Sequence, residues 1–129
     1  MERMISRRQA TWWTATIRRR AVMVLEAGGE IAGYATFGPT HTQLRPGAAE
    51  IQEIYLAPEY QGIGLGKRLF LGAIKTIRAK GYGTVIVRAL AENDRANEFY
   101  IRRGGKVIAR TEETLGDHAL PCFWYEFPS

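Results

Sequence analysis

Apolar residues fall at helical spacing in three stretches of this chain, and in strand-like alternation or short unbroken runs in six others. Ser6-Arg7-Arg8-Gln9 has the spacing of a capping box, and Trp12, Trp13, Thr16 and Ile17 follow at helical intervals, which predicts a helix over roughly residues 7–18 with Trp13 and Ile17 in the core. Residues 21–27 and 30–37 flank Gly28-Gly29 and read as a tight β-hairpin. A polar, turn-rich stretch over 38–46 leads into a strand over 48–56. Leu65, Leu69, Ala73 and Ile77 then form one helical stripe, widened by Phe70 and Ile74, with Arg68, Lys75 and Arg78 facing away and Gly81 as the stop. Residues 84–87 read as a fully buried strand parallel to the one before that helix, which makes a right-handed βαβ unit. Asn93 or Asp94 caps a second helix through Phe99, Tyr100 and Ile101, stopped by Gly104-Gly105. Strands over 106–109 and 122–127, joined by a turn around Gly116-Asp117, complete the order α-β-β-β-α-β-α-β-β.

That order fits one α/β domain over residues 1–129, near the lower size bound for a mixed α/β enzyme. With 46% hydrophobic and 24% charged residues the chain reads as soluble and globular, and no apolar run approaches membrane-spanning length. The basic N-terminus has no apolar segment behind it, so we expect no signal peptide and a cytoplasmic location. Cys122 has no partner for an internal disulfide, and His41 and His118 have no metal-ligand spacing, so no metal is expected. A net charge of +5 raises nucleic acid as a partner. The basic residues are spread along the chain, however, without an aromatic-interleaved basic strand, and the same charge suits a polyanionic cofactor.

The chemistry concentrates in Gln61-Gly62-Ile63-Gly64-Leu65-Gly66-Lys67, between the apolar strand end Ile54-Tyr55-Leu56 and the striped helix. Glycines let the backbone approach a ligand with its amides turned inward, and a helix start adds unpaired N–H groups and a positive dipole end, so this loop suits a phosphate. A Walker loop is excluded, because Gln61 stands where its first glycine belongs and Arg68 where its hydroxyl belongs. A Rossmann fingerprint is excluded by Lys67 at the third glycine position and by the lack of an acid at the end of the next strand.

Gln61, Gly64 and Gly66, with Leu56 five residues before the glutamine, fit Gln/Arg-x-x-Gly-x-Gly/Ala, and this resembles motif A of the GNAT superfamily of N-acetyltransferases. Asn93-x-x-Ala96-x-x-Phe99-Tyr100-x-x-x-Gly104 resembles that family's second signature, and the resemblance runs over roughly residues 21–127. It implies a GNAT (acyl-CoA N-acyltransferase) fold: a mixed, mostly antiparallel sheet splayed between two central parallel strands. The departure lies at the front, where GNAT domains usually have a strand and two helices and this chain has one short predicted helix. The shortened N-terminal region implies that part of the usual acceptor wall is missing.

The resemblance further implies transfer of an acetyl group from acetyl-CoA to a primary amine by direct attack, with coenzyme A as the product and a small-molecule or protein amine as acceptor. Gln61, Gly62, Ile63, Gly64, Leu65, Gly66 and Lys67 would hold the pyrophosphate, and backbone groups of Ile54, Tyr55 and Leu56 the pantetheine and thioester carbonyl. Asn93 would hydrogen-bond the pantetheine arm or serve only as a helix cap. Tyr100 is the candidate general acid, since a phenol can protonate the departing thiolate, with core packing beside Phe99 as its plainer role. Glu50 and Glu53 are candidate bases. They are three apart and point to opposite faces of a regular strand, so both can face one cleft only if a bulge intervenes. A non-catalytic CoA-binding module is the alternative, and a basic nucleic-acid binder the weaker one. The short front and open strand edges lead us to expect a homodimer.

Overall fold

A computed structural model describes residues 10–17, as backbone, and residues 20–128. Among the described residues seven strands form one sheet, in the order β1-β2-β3-β4-β5-β7-β6. They are β1 (Ala10–Ile17), β2 (Arg20–Ala27), β3 (Glu30–Pro39), β4 (Ala49–Leu56), β5 (Val85–Leu90), β6 (Lys106–Leu115) and β7 (His118–Phe127). Every neighbouring pair is antiparallel except β4 and β5. The helices are α1 (Leu65–Ala79), between those two parallel strands, and α2 (Asp94–Arg102), between β5 and β6.

The front of the chain differs from the sequence prediction. Residues 10–17 form a strand, paired along its whole length with β2 from Ala10–Ala27 to Ile17–Arg20. Trp, Thr and Ile are strand formers, and the two residues between β1 and β2 allow a hairpin, so cross-strand pairing outweighs the helical spacing of Trp12, Trp13, Thr16 and Ile17. The capping-box residues Ser6 to Gln9 and the side chains of Trp13 and Ile17 lie outside the described residues. The later elements follow the predicted order, with β5, β6 and β7 longer than their apolar cores.

Both helices lie on one face of the sheet. Leu65, Leu69, Phe70, Ala73 and Ile77 of α1 and Tyr100 of α2 join Phe37, Ile51, Val87 and Tyr125 of the strands in one buried cluster. Phe70 is its centre, with ring contacts to Phe99, Tyr100 and Phe127. A smaller cluster of Ala48, Ile86 and Trp124 lies apart from it, and Ile86 and Trp124 belong to the opposite face of the sheet. β4 and β5 separate where they leave the core.

Candidate active site

The parallel strands pair at only three positions, Ala49–Val85, Glu50–Ile86 and Ile51–Val87. Beyond them β4 runs on to Leu56 paired only with β3, and β5 to Leu90 paired only with β7, so the sheet opens into a V. The split coincides with a register shift: Phe37 of β3 faces Ile51, the next residue Thr36 faces Glu53, and Gln52 is the extra residue of a β-bulge. A bulge bends its strand, and here it turns the end of β4 away from β5. The cavity in the V has a volume of about 410 Å3, lined by Glu53, Ile54 and Tyr55 of β4, Arg88 and Leu90 of β5, and Tyr100 of α2.

The same bulge changes the facing of the two candidate bases. Glu50 lies opposite Gly38 and Glu53 opposite Thr36, two residues apart on the regular strand β3, so both glutamates share the sheet face away from the helices. They do not share a cavity. Glu53 lines the V, where the Tyr34 hydroxyl donates to its Oε2 at 3.3 Å. The Glu53 charge, with a smaller contribution from burial, raises the Tyr34 phenol above its ordinary pKa. Tyr34 also lies against Tyr55, with ring centroids 5.6 Å apart. Glu50 accepts from Thr40 Oγ1 at 2.8 Å and lines a neighbouring cavity with Arg20, His41 and Arg88.

Between the V and α1 the chain makes a 3₁₀ turn over Pro58–Tyr60 and then the glycine loop. The Gln61 side chain donates from Nε2 to the Leu56 carbonyl at 3.0 Å, which ties the loop to the strand end. Gly62 and Gly64 have φ of 82° and 81°, a left-handed conformation that costs a residue with a Cβ roughly 1–2 kcal/mol. Gly64 is the helix N-cap and makes no side-chain cap, and the amide of Arg68 closes the first turn on its carbonyl at 3.2 Å. Leu65, Gly66 and Lys67 therefore open α1 with amides that have no intrahelical acceptor. A Cβ on Gly66 would meet only Leu56 Cδ2, at 3.7 Å, so the fold itself does not require glycine there. Lys67 is exposed on the first turn. A cavity of about 360 Å3 beside this loop, lined by Leu56, Gln61 and Gly66, shares Ile54, Asn93 and Tyr100 with the V, so the two adjoin. Ile54 and Leu56 line the loop side of this run, while Tyr55 lines the V.

From α2, Asn93 caps the helix: its Oδ1 accepts from the Ala96 amide at 3.1 Å, and its side-chain nitrogen makes no hydrogen bond among the described residues. Tyr100 is buried, at 5% exposure, among Phe70, Phe99 and Tyr125, yet lines both adjoining cavities. Its phenol is pushed up to about 12, first by burial and then by Tyr125. Packing and site exposure thus belong to the same residue. Cys122 is buried outside these cavities, with Sγ 3.8 Å from Glu113 Oε2, and burial raises its thiol.

The sequence prediction missed Asn97, which ties α2 to the strands behind it. Its Nδ2 donates to the carbonyls of Leu90 and Asn93, and its Oδ1 accepts from the Tyr125 hydroxyl. The available signal was a second asparagine one helical turn after the cap, on the side that meets β5. Arg88 was missed too: it lines both the V and the cavity of Glu50.

The family model of the acetyltransferase (GNAT) family matches residues 2–105. A mycothiol acetyltransferase from Pseudarthrobacter chlorophenolicus is 34% identical over 85 residues, which are 64% of this chain and 26% of that protein. An uncharacterized N-acetyltransferase from Lactobacillus delbrueckii subsp. lactis is 32% identical over 96 residues, or 72% of this chain and 56% of that one. The chain thus spans from about a quarter to just over half the length of these relatives. A GNAT family acetyltransferase from Elizabethkingia anophelis, solved with acetyl-CoA bound, superposes with a TM-score of 0.78 at 12% identity, covering 94% of this chain and 99% of that one. That likeness is one of fold, in a domain of similar extent.

Proposed function

Because the chain belongs to the acetyltransferase (GNAT) family, we propose that it transfers the acetyl group of acetyl-CoA to a primary amine by direct attack in the V between β4 and β5. The observation that carries this reading is the pair of adjoining cavities that share Ile54, Asn93 and Tyr100, one reaching the glycine loop and the other Glu53. It offers an anion site at one end, and a proton donor and a proton acceptor at the other.

The residues present fit the acyl donor. The left-handed Gly62 and Gly64 and the open amides of Leu65, Gly66 and Lys67 suit a pyrophosphate, and Gly66 leaves room for it beside Leu56. When bound, acetyl-CoA supplies an activated thioester carbonyl. The unpaired edge of β4 beyond Ile51 has backbone groups free to hold a pantetheine arm as an added strand would be held, and the Asn93 side-chain nitrogen can assist. Glu53 would take a proton from the acceptor's ammonium group, directly or through water, which frees the neutral amine to attack, with Tyr34 orienting the carboxylate. Glu50, held by Thr40 in the next cavity, is the weaker candidate for that role. Tyr100 protonates the departing thiolate. The seclusion of Cys122 from these cavities favours direct attack over an acyl-enzyme.

Thiol release from acetyl-CoA, followed over a panel of primary amines together with direct CoA titration, tests this reading. Amine-dependent release supports it, CoA binding without release selects a non-catalytic binding module, and absence of both removes it. The sheet ends at β1 and β6, the edges at which a second copy would complete the homodimer we propose. Sedimentation of an active monomer at working concentration would end that part.

A further inference from the structure

The cavity beside the V has a volume of about 390 Å3 and shares Gln52 and Arg88 with it, so a ligand of modest length can occupy both. Its charge differs from that of the V. Arg20 enters from β2, His41 from the loop after β3 and Arg88 from β5, against one carboxylate, Glu50. Arg20 makes no ion pair among the described residues. Arg88 uses one nitrogen, Nη2, on Glu113 at 3.1 Å and lies over the Trp124 ring at 5.3 Å, which fixes the guanidinium while leaving donors on its other nitrogens. Two guanidinium groups line this cavity, one from β2 and one from β5 held by Glu113 and Trp124, and together they form a receptor for an anion.

We propose that the amine acceptor also carries a carboxylate, which Arg20 and Arg88 hold in this cavity while the amine reaches Glu53 in the V. This rests on the acetyl transfer proposed above and narrows its acceptor to an amino-acid-like compound. Glu50 sharpens the choice. Its charge opposes a phosphate dianion more than a carboxylate monoanion, and the two arginines oppose a second ammonium, so phosphorylated amines and polyamines are both disfavoured. Trp124 lines the same cavity beside Arg88 and gives an apolar surface for the carbon chain between the two groups.

The test compares kcat/KM for amines matched with and without a carboxylate: lysine against cadaverine, 5-aminopentanoate against butylamine, and 4-aminobutyrate against propylamine, with phosphoethanolamine as a further arm. We expect each acid to exceed its amine by at least ten-fold, and phosphoethanolamine to behave like the plain amines. In Arg20→Gln the acid-to-amine ratio falls toward one, and Arg20→Lys restores part of it. Turnover of amines with a ratio near one in the unaltered protein overturns the inference while leaving acetyl transfer standing, as does an unchanged ratio in Arg20→Gln. Should no amine be acetylated, the indole N–H resonance of Trp124, identified with Trp124→Phe and titrated without CoA, still decides. A shift with lysine but not with cadaverine, lost in Arg20→Gln, upholds the carboxylate site without acetyl transfer. Equal response to both compounds, or none, overturns it.

Discussion

The Tyr125 hydroxyl donates to Asn97 Oδ1 at 2.6 Å, while the same side chain's Nδ2 donates to the carbonyls of Leu90 at 3.0 Å and Asn93 at 2.8 Å. One amide thereby joins β7, the end of β5 and the start of α2, and so sets where Asn93 and Tyr100 stand relative to the V. Asn97→Ala leaves the buried Tyr125 hydroxyl and two carbonyls without this partner, so we expect a loss of roughly 1–3 kcal/mol in urea unfolding. Asn97→Asp keeps the acceptor for Tyr125 but turns an oxygen toward the two carbonyls, and we expect it to recover little. Tyr125→Phe combined with Asn97→Ala should cost less than the sum of the single changes, because the two groups share one bond.

Where a local rule is strict, the sequence was legible. The glycine loop and α1 could be read because left-handed backbone demands glycine at 62 and 64, and because the stripe of Leu65, Leu69, Ala73 and Ile77 has one helical period. The front misled because Trp12, Trp13 and Thr16 satisfy helical spacing while belonging to strand-forming residue types, and only pairing with β2 decides between the two. The hairpin of β6 and β7 extends far beyond its apolar ends, through Arg110 to Thr114, because its outer strand is held by backbone pairing and needs no buried stripe. The bulge at Gln52 left no mark in residue type, so the shared facing of Glu50 and Glu53 required coordinates.

Two glycines of the loop should separate folding from cofactor approach. Gly64→Val places a β-branched residue at φ 81°, so we expect a loss of roughly 1–2 kcal/mol in stability together with loss of CoA affinity. At Gly66 a Cβ meets nothing closer than 3.7 Å, so Gly66→Ala should unfold at the same urea concentration as the unaltered protein or higher. Its CoA affinity should nevertheless fall roughly ten-fold, about 1.4 kcal/mol, because the methyl group stands where the phosphates approach. Unchanged calorimetric affinity in both variants would take the loop out of the site.

The two glutamates make a paired test, since they share a sheet face but not a cavity. Glu53→Gln should lower kcat/KM for amines roughly 10²-fold or more. Glu50→Gln should lower it far less, because that carboxylate already accepts from Thr40 outside the V. Tyr34→Phe removes the donor to Glu53 without touching the carboxylate, and its loss should fall between the two. Steady-state rates with one amine at a single pH rank all three, and a ranking with Glu50 first would transfer the role of base to the neighbouring cavity.

Tyr100 carries the proton argument, and its pKa of about 12 cuts two ways. A phenol that holds its proton so firmly is charged to almost no extent at neutral pH, which keeps the acid loaded. Transfer to a thiolate of ordinary pKa, about 8.5, would by itself run uphill. The burial that raises the phenol also raises the pKa of a thiolate departing beside it, since both anions lose water in the same cleft, and that brings the two closer together. Tyr100→Phe keeps the ring contacts with Phe70 and Tyr125 and removes only the hydroxyl, so we expect kcat to fall roughly 10²-fold or more with CoA affinity little changed. Stability supplies a second readout with a definite sign. The folded-state pKa lies above the unfolded value of 10.0, so this residue's contribution is complete below pH 10.0 and is lost as pH rises toward about 12. The unaltered protein should therefore lose more stability than Tyr100→Phe over that interval. Parallel unfolding curves for the two proteins across it would show that the Tyr100 phenol titrates alike in the folded and unfolded chains, and full activity in the variant would return Tyr100 to the role of a packing residue.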